Sequence, residues 1–296
     1  MAKKVNKYAG DVPVKEYEPQ GIAGWLGLGR PIDIGDGVTS LAFLCTVFTF
    51  VGVTAWQSFM GDLGFGDAAL SGVGAALGFL FSFMIAQELD PDRQWGGIIG
   101  GFLTLAGYFW LGEGNIVVML WLLMILRMFT RTSGDRHRVG DCVLIILLST
   151  YLGYRGFWLY PLMTGSAFIL ESQIPLGYTR SLIWAGVALA GMIFAEFGEV
   201  APVLSMQYIY LMGATFILFL PEMRAADFTQ FKDDRQGKRI DPRRLRIAQG
   251  AFLLCIFFLP FLHGNEQALD LMPAMAAGIG CGVYLVPALM QAKKNK

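Results

Sequence analysis

The chain has 296 residues, 55% hydrophobic and only 16% charged, where an ordinary globular chain is roughly a quarter charged. Its 23 basic and 23 acidic residues cancel to a net charge of zero, so it lacks the basic footprint that nucleic-acid binding needs. The apolar residues gather into long uncharged runs, which excludes a single large soluble core and predicts an all-α integral membrane protein.

Residues 1–37 are polar, with Lys3, Lys4, Lys7 and Lys15 near the start. No apolar run follows directly, so this reads as a cytoplasmic tail and not a cleavable signal. Within it, Gly21–Leu28 is expected to lie on a membrane surface, with Trp25 at headgroup level.

A polytopic helical domain is expected over 38–292, followed by a basic tail at 293–296. Its ten apolar segments run 38–59, 68–87, 97–112, 114–126, 142–154, 156–170, 181–195, 202–220, 247–263 and 271–291. With the N-terminus inside, the inner loops and tails hold 22 of the 23 Lys and Arg; Arg155 is the exception. The outer loops carry acids instead: Asp62, Asp67, Glu113, Glu196, Glu199, Glu266 and Asp270. The positive-inside rule therefore predicts ten spans with both termini cytoplasmic, in a prokaryotic inner membrane. The stretch 142–171 admits two readings, two short spans or one span plus a re-entrant piece broken at Pro161. Arg155, among Tyr154, Phe157, Trp158 and Tyr160, is expected to snorkel at the interface; an intramembrane functional role is the alternative.

Gly96, Gly97, Gly100 and Gly101 form two overlapping Gly-x-x-x-Gly pairs, and Gly278, Gly280 and Gly282 lie in the last segment. Such spacing lets helix backbones approach closely, within the chain or between copies of it. The cysteines at 45, 142, 255 and 281 are solitary and read as small apolar side chains.

Several chemistries are disfavoured. No Asp, Glu, Lys or Arg falls inside a segment as drawn, which weighs against proton- or ion-coupled transport. His137 and His263 fall on opposite sides, so they cannot share a haem or zinc. No phosphate-binding Gly-x-x-x-x-Gly-Lys-Ser/Thr loop occurs.

The inner loops carry the candidate sites. Asp90-Pro91-Asp92-Arg93 and Asp241-Pro242-Arg243-Arg244 each precede an apolar segment. Asp as N-cap with Pro at the first helical position explains both. The island Arg127–Asp141 holds Arg127, Arg131, Arg136 and Arg138 around Ser133, Gly134 and His137. These guanidinium groups, with Arg93, are the candidate binders of phosphate or lipid headgroups. Asp141 is placed to cap the next helix. Loop 221–246 mixes both signs of charge and is the candidate surface for a protein partner.

The leading expectation is a membrane structural or interaction protein without catalytic machinery or resident cofactor, in contact with membrane lipids. One alternative is a lipid- or isoprenoid-diphosphate enzyme with Mg²⁺ on Asp90, Asp92 and Asp135. That alternative predicts that loops 88–96 and 127–141 converge beneath an apolar cavity, whereas the leading reading predicts that they splay apart, each Asp capping its own helix. A second alternative is a carrier for an uncharged or lipid-like solute, its cavity lined by Thr164, Ser166, Ser205 and Gln207.

Gly64-Phe65-Gly66-Asp67 resembles the Gly-x-Gly-Asp motif of membrane aspartyl proteases such as prepilin peptidases. The resemblance covers about fifteen residues and implies a second, facing aspartate on the cytoplasmic side. The expected topology puts Asp67 outside, and Asp62 and Asp270 are poor partners. Aromatic prenyltransferases that use prenyl diphosphates are similar in length and layout, but their Asn-Asp-x-x-Asp-x-x-x-Asp pattern is missing at Glu88–Arg93.

Overall fold

A computed structural model describes residues 25–30, 35–61, 63–197 and 203–294, with side chains as far as 287. Most of the N-terminal tail, Asp62, Glu199 and the side chains of the basic C-terminal tail lie outside the described residues. The described chain is all-helical: α1 (Gly37–Met60), α2 (Phe65–Leu89), α3 (Trp95–Leu111), α4 (Ile116–Thr130), α5 (Val139–Tyr154), α6 (Leu159–Gln173), α7 (Ser181–Ala190), α8 (Met206–Ala225), α9 (Pro242–His263), α10 (Asn265–Asp270) and α11 (Met272–Lys294). Every apolar segment coincides with a helix. The six-residue α10 is the addition, in a stretch read as loop.

Four helical stretches, 37–60, 65–89, 206–228 and 242–263, are long and apolar enough to cross a membrane by length and composition. Helices α3 to α7 are shorter, and α11 counts among the shorter apolar helices over 272–287. Helix α4 is hydrophobic all round and correspondingly central. Trp121, Leu122, Leu126 and Phe129 are fully buried in it, and the Trp121 indole N–H donates to Thr164 Oγ1 at 2.8 Å.

The helix ends follow local chemistry. Asp36 caps α1, accepting from Thr39 N at 2.9 Å. Asn115 caps α4 through Val117 N at 2.9 Å. Asp241 caps α9 through Arg243 N at 2.8 Å, with Pro242 at the first position as expected. The matching motif at 90–93 behaves differently. Gln94 occupies the N-cap of α3, while Asp90 closes the C-terminus of α2 and pairs with Arg93 at 2.6 Å. A nearby arginine outcompetes a backbone N–H for this carboxylate, because that bond joins two charged groups. Asp67 sits in the first turn of α2 behind the N-cap Gly64.

The stretch 142–171 resolves into α5 and α6, joined by a tight turn at Gly156, whose φ of +96° favours glycine. Arg155 closes α5 and donates to Tyr151 Oη at 3.2 Å on the exposed surface.

Both Gly-x-x-x-Gly pairs are used inside the chain. A Cβ on Gly96 would lie 2.9 Å from Cys281 Cα, and one on Gly100 2.8 Å from Ala277 Cα, so this face of α3 packs on α11. The neighbouring pair, Gly97 and Gly101, packs on Phe83 and Phe79 of α2.

The helices alternate in direction, so their ends sort into two faces. One carries the starts of α1, α3, α5, α7 and α9 with the ends of α2, α4, α6 and α8. It is bonded across as Arg30–Glu88, Arg93–Glu222, Arg131–Glu171 and Arg244–Glu171. The other is joined by Asn115 N to Asp270 at 3.2 Å, Ser205 N to Asn265 at 2.8 Å, and Glu196 N to Gly153 O at 3.1 Å.

Candidate functional site

The basic face is organised around three buried carboxylates at helix ends. Glu88, at 0% exposure, ends α2. It accepts from Arg30 at 3.3 Å, Arg127 at 3.1 Å, Thr130 at 2.9 Å and Thr132 at 2.6 Å. Glu171, near the end of α6, binds Arg131 at 2.5 Å and Arg244 at 2.7 Å. Arg244 also donates to the carbonyls of Phe129, Pro175 and Met128 at 2.8, 2.9 and 3.0 Å, so the ends of α4 and α6 are tied to the start of α9. Glu222 in α8 takes Arg93 at 2.6 Å. A buried carboxylate survives only with such compensation.

The segment 25–30 docks into this face. Asp141 accepts from Gly27 N at 2.7 Å, Leu28 N at 3.3 Å and Arg138 N at 2.8 Å. It therefore holds the strap as well as the first turn of α5. A side chain at Gly27 would collide with the carbonyl of Arg136, which explains glycine at that close approach. Leu28 is fully buried. Arg30 reaches Glu88, and Asp234 at 2.6 Å. Burial works against the Arg30 charge, but Glu88 and Asp234 outweigh it and raise its pKa.

Loops 88–96 and 127–141 thus converge, as Glu88 with Thr130 and Thr132 shows, and do not splay apart as the leading expectation has them. The aspartates singled out for magnesium go to separate partners. Asp90 binds Arg93 at 2.6 Å, and burial raises its pKa despite that arginine. Asp92 accepts from Gln230 N, 3.1 Å to each oxygen. Asp135 binds Arg138 at 3.0 Å and also Arg235. Among the described residues no three His, Cys, Asp or Glu side chains are grouped to hold a metal.

The five candidate headgroup arginines divide. Arg93, Arg127 and Arg131 are committed to buried carboxylates. Arg136 and Arg138 line a cleft of about 730 Å³ with Trp25, His137, Val139, Tyr178, Arg180, Ile183 and Trp184. Arg136 and Arg180 stack against the Tyr178 ring, their guanidinium carbons 5.9 and 6.0 Å from its centroid. Neither has a carboxylate within ion-pair distance among the described residues. His137 is 4% exposed. Its Nε2 lies 3.0 Å from Ser181 Oγ, while Nδ1 lacks a hydrogen-bond partner and is 4.0 Å from Glu171. Burial, and then Arg131, Arg244 and Arg136, push its pKa down to about 4, so the ring is neutral near pH 7.

A second cleft of about 720 Å³ lies between α1, α2 and the 231–234 turn, with Arg30, Gln87, Gln94, Arg127 and Lys232 in its wall. The four residues suggested for a carrier cavity line neither cleft. Thr164 is bound to Trp121, and Ser166 and Gln207 are exposed.

Sequence reasoning missed Arg180 and Tyr178, which complete the cleft from a loop about forty residues beyond the island. The visible signal was the lone Arg180 between the sixth and seventh apolar segments. It also missed Glu171 and Arg244 as a buried pair. No family model, curated protein or solved structure matches the chain.

Proposed function

We propose that the chain is a polytopic protein of a prokaryotic inner membrane, spanning it ten times with both termini and the basic face cytoplasmic. On that face, the cleft between 25–30, 136–139 and 178–184 recognises the phosphate of an anionic lipid headgroup. The observation that carries this is the pair of exposed guanidinium groups, Arg136 and Arg180, stacked on one tyrosine without an acidic partner among the described residues. Guanidinium forks match phosphate oxygens, and tryptophan and tyrosine favour the headgroup level.

The membrane setting draws support from the girdle. Phe48, Leu147, Ile183, Ile217 and Phe261 are more than 60% exposed on different helices, and soluble monomers rarely expose such broad apolar surface. The shorter helices span only if their flanking residues count toward the crossing. Loop 221–246 is largely folded against the basic face through Asp234, Arg235 and Gln236, which makes that face a rigid platform for headgroups or a protein partner. The Mg²⁺-diphosphate alternative draws on the convergence of the two loops, and has against it the separate partners of Asp90, Asp92 and Asp135.

The test is thermal unfolding of the purified chain in neutral detergent, with added phosphatidylglycerol or phosphatidylcholine. A ligand of the native state raises the midpoint in a concentration-dependent way. The anionic lipid is expected to raise it, and Arg136→Gln/Arg180→Gln to abolish the response without lowering the unliganded midpoint. Equal response to both lipids refutes the reading.

A further inference from the structure

The cleft's charge balance says more about its ligand than that it is an anion. Around it, Asp135 is shared by Arg138 and Arg235, and Glu171 by Arg131 and Arg244. Arg136 and Arg180 have no carboxylate among the described residues. Counting Asp141, six guanidinium groups face three carboxylates, and Asp141 is held by backbone N–H groups. The loop that carries Arg136 and Arg138 also holds unpartnered polar atoms, of which only His137 Nδ1 belongs to a residue lining the cleft. Arg131 Nε and Ser133 Oγ are buried without hydrogen-bond partners, as is His137 Nδ1, with Ser133 1% exposed. A buried polar atom left alone is costly, and several in one loop mark a place that a polar ligand or water completes.

Resting on the headgroup reading, we propose that the cleft selects a lipid bearing a terminal phosphate monoester over one whose phosphate is a diester. A monoester carries about −1.5 to −2 charges at pH 7 and three peripheral oxygens, with a second pKa near 6. A diester carries one charge and two free oxygens. The two unpaired guanidinium groups beside Tyr178 match the former in charge and in number of donors. The lipid origin follows from the rim, where Val139 is 55% and Ile183 67% exposed. An acyl chain leaving the cleft there runs along α5 and α7.

The pairing has a pH signature. The groups facing the ligand are Arg136, Arg138, Arg180 and His137, backed by Asp135, held between two arginines, and Glu171, also held between two. His137 is pushed down to about 4 by burial and then by Arg131, Arg244 and Arg136, so it stays neutral between pH 5 and 8. A pH response in that window comes from the ligand's second ionisation.

The experiment titrates the purified full-length chain in neutral detergent with short-chain phosphatidic acid, short-chain phosphatidylglycerol or inorganic phosphate. Tryptophan fluorescence is the readout, since Trp25 and Trp184 line the cleft. At pH 8 phosphatidic acid is expected to bind roughly tenfold tighter than phosphatidylglycerol, as one extra charge met by an unpaired arginine implies. At pH 5 the two should approach parity, and Arg136→Gln/Arg180→Gln should remove the preference. Equal affinities at pH 8 overturn this inference and leave the anionic-headgroup reading standing. Failure of both lipids to bind overturns both. Inorganic phosphate displacing phosphatidic acid at equal concentration overturns the lipid source. A preference unchanged at pH 5, or kept by the double variant, overturns the dianion or the placement.

Discussion

Glu88→Gln is the sharpest probe of how the basic face holds together. The substitution keeps the shape of a fully buried side chain but removes the charge that Arg30 and Arg127 face at 3.3 and 3.1 Å. It also turns one of the two acceptor oxygens, bonded to Thr130 and Thr132 or to the arginines, into a donor. Breaking a buried pair from one side costs about 3–5 kcal/mol. The arginines keep 13% and 12% side-chain exposure, so water relieves part of that. A loss of about 3 kcal/mol, roughly a hundredfold in the unfolding equilibrium, is expected. The assay is reversible denaturant unfolding in detergent micelles, followed by tryptophan fluorescence. Its control is Asp227→Asn, which removes the Arg246 partner of a pair exposed by 44% and 49% and is expected to cost less than about 1 kcal/mol. Combining Glu88→Gln with Arg127→Gln should cost less than the two singles together, since the second change removes the orphaned charge. If Glu88→Gln costs no more than Asp227→Asn, the buried network is not what holds α2, α4 and the 25–30 strap together.

Other outcomes follow from separate parts of the molecule. Gly280→Ala places a Cβ against the Gly96 carbonyl and the backbone N of Gly100; a loss of about 1–3 kcal/mol by the same unfolding assay is expected, since backbone cannot give way as a side chain can. Asp270 has its pKa raised from 3.8 to about 7, first by burial and then by Glu266. The folded state therefore holds a proton that the unfolded state releases, and stability falls as pH rises from about 4 to 7. Asp270→Asn should remove that slope, worth up to about 4 kcal/mol at 1.36 kcal/mol per pH unit, which unfolding midpoints from pH 4 to 8 will show. His137 acts with the opposite sign. Its pKa falls to about 4 from 6.5, so its contribution is present above pH 6.5 and lost on acidification towards 4, and His137→Gln should lessen acid sensitivity in the same series. For topology, single cysteines in place of exposed Lys238 and exposed Arg155, with Cys45 replaced, should react with an impermeant thiol reagent from opposite sides of sealed vesicles; labelling from one side refutes the ten-span arrangement.

Much of the helix layout was readable in the chain because the signals are local. An apolar run bounded by charge becomes a helix wherever it sits, and Asp36, Asn115 and Asp241 cap with side chains that reach only two or three residues. The two Gly-x-x-x-Gly pairs announced close packing, though not that one would face α11 and the other α2. Local reasoning failed where a distant charge competed for the same group. Asp90 has the same cap sequence as Asp241, but Arg93 takes it, and Arg93 is itself held by Glu222 from a helix more than a hundred residues away. The arginine island misled in a similar way. Four arginines in fifteen residues read as one cradle, yet Arg127 and Arg131 turn inward to Glu88 and Glu171, and only Arg136 and Arg138 reach the cleft.

By itself the sequence determined an all-helical chain, the positions of ten helices and the gathering of basic residues into alternate loops, because hydropathy and capping act over one turn or one helix length. Which charges are spent on holding the fold and which stay available was decided only by tertiary structure. That depends on which carboxylate lies within about 3 Å of each guanidinium, and residues from 30 to 244 must be brought to one face before it has an answer.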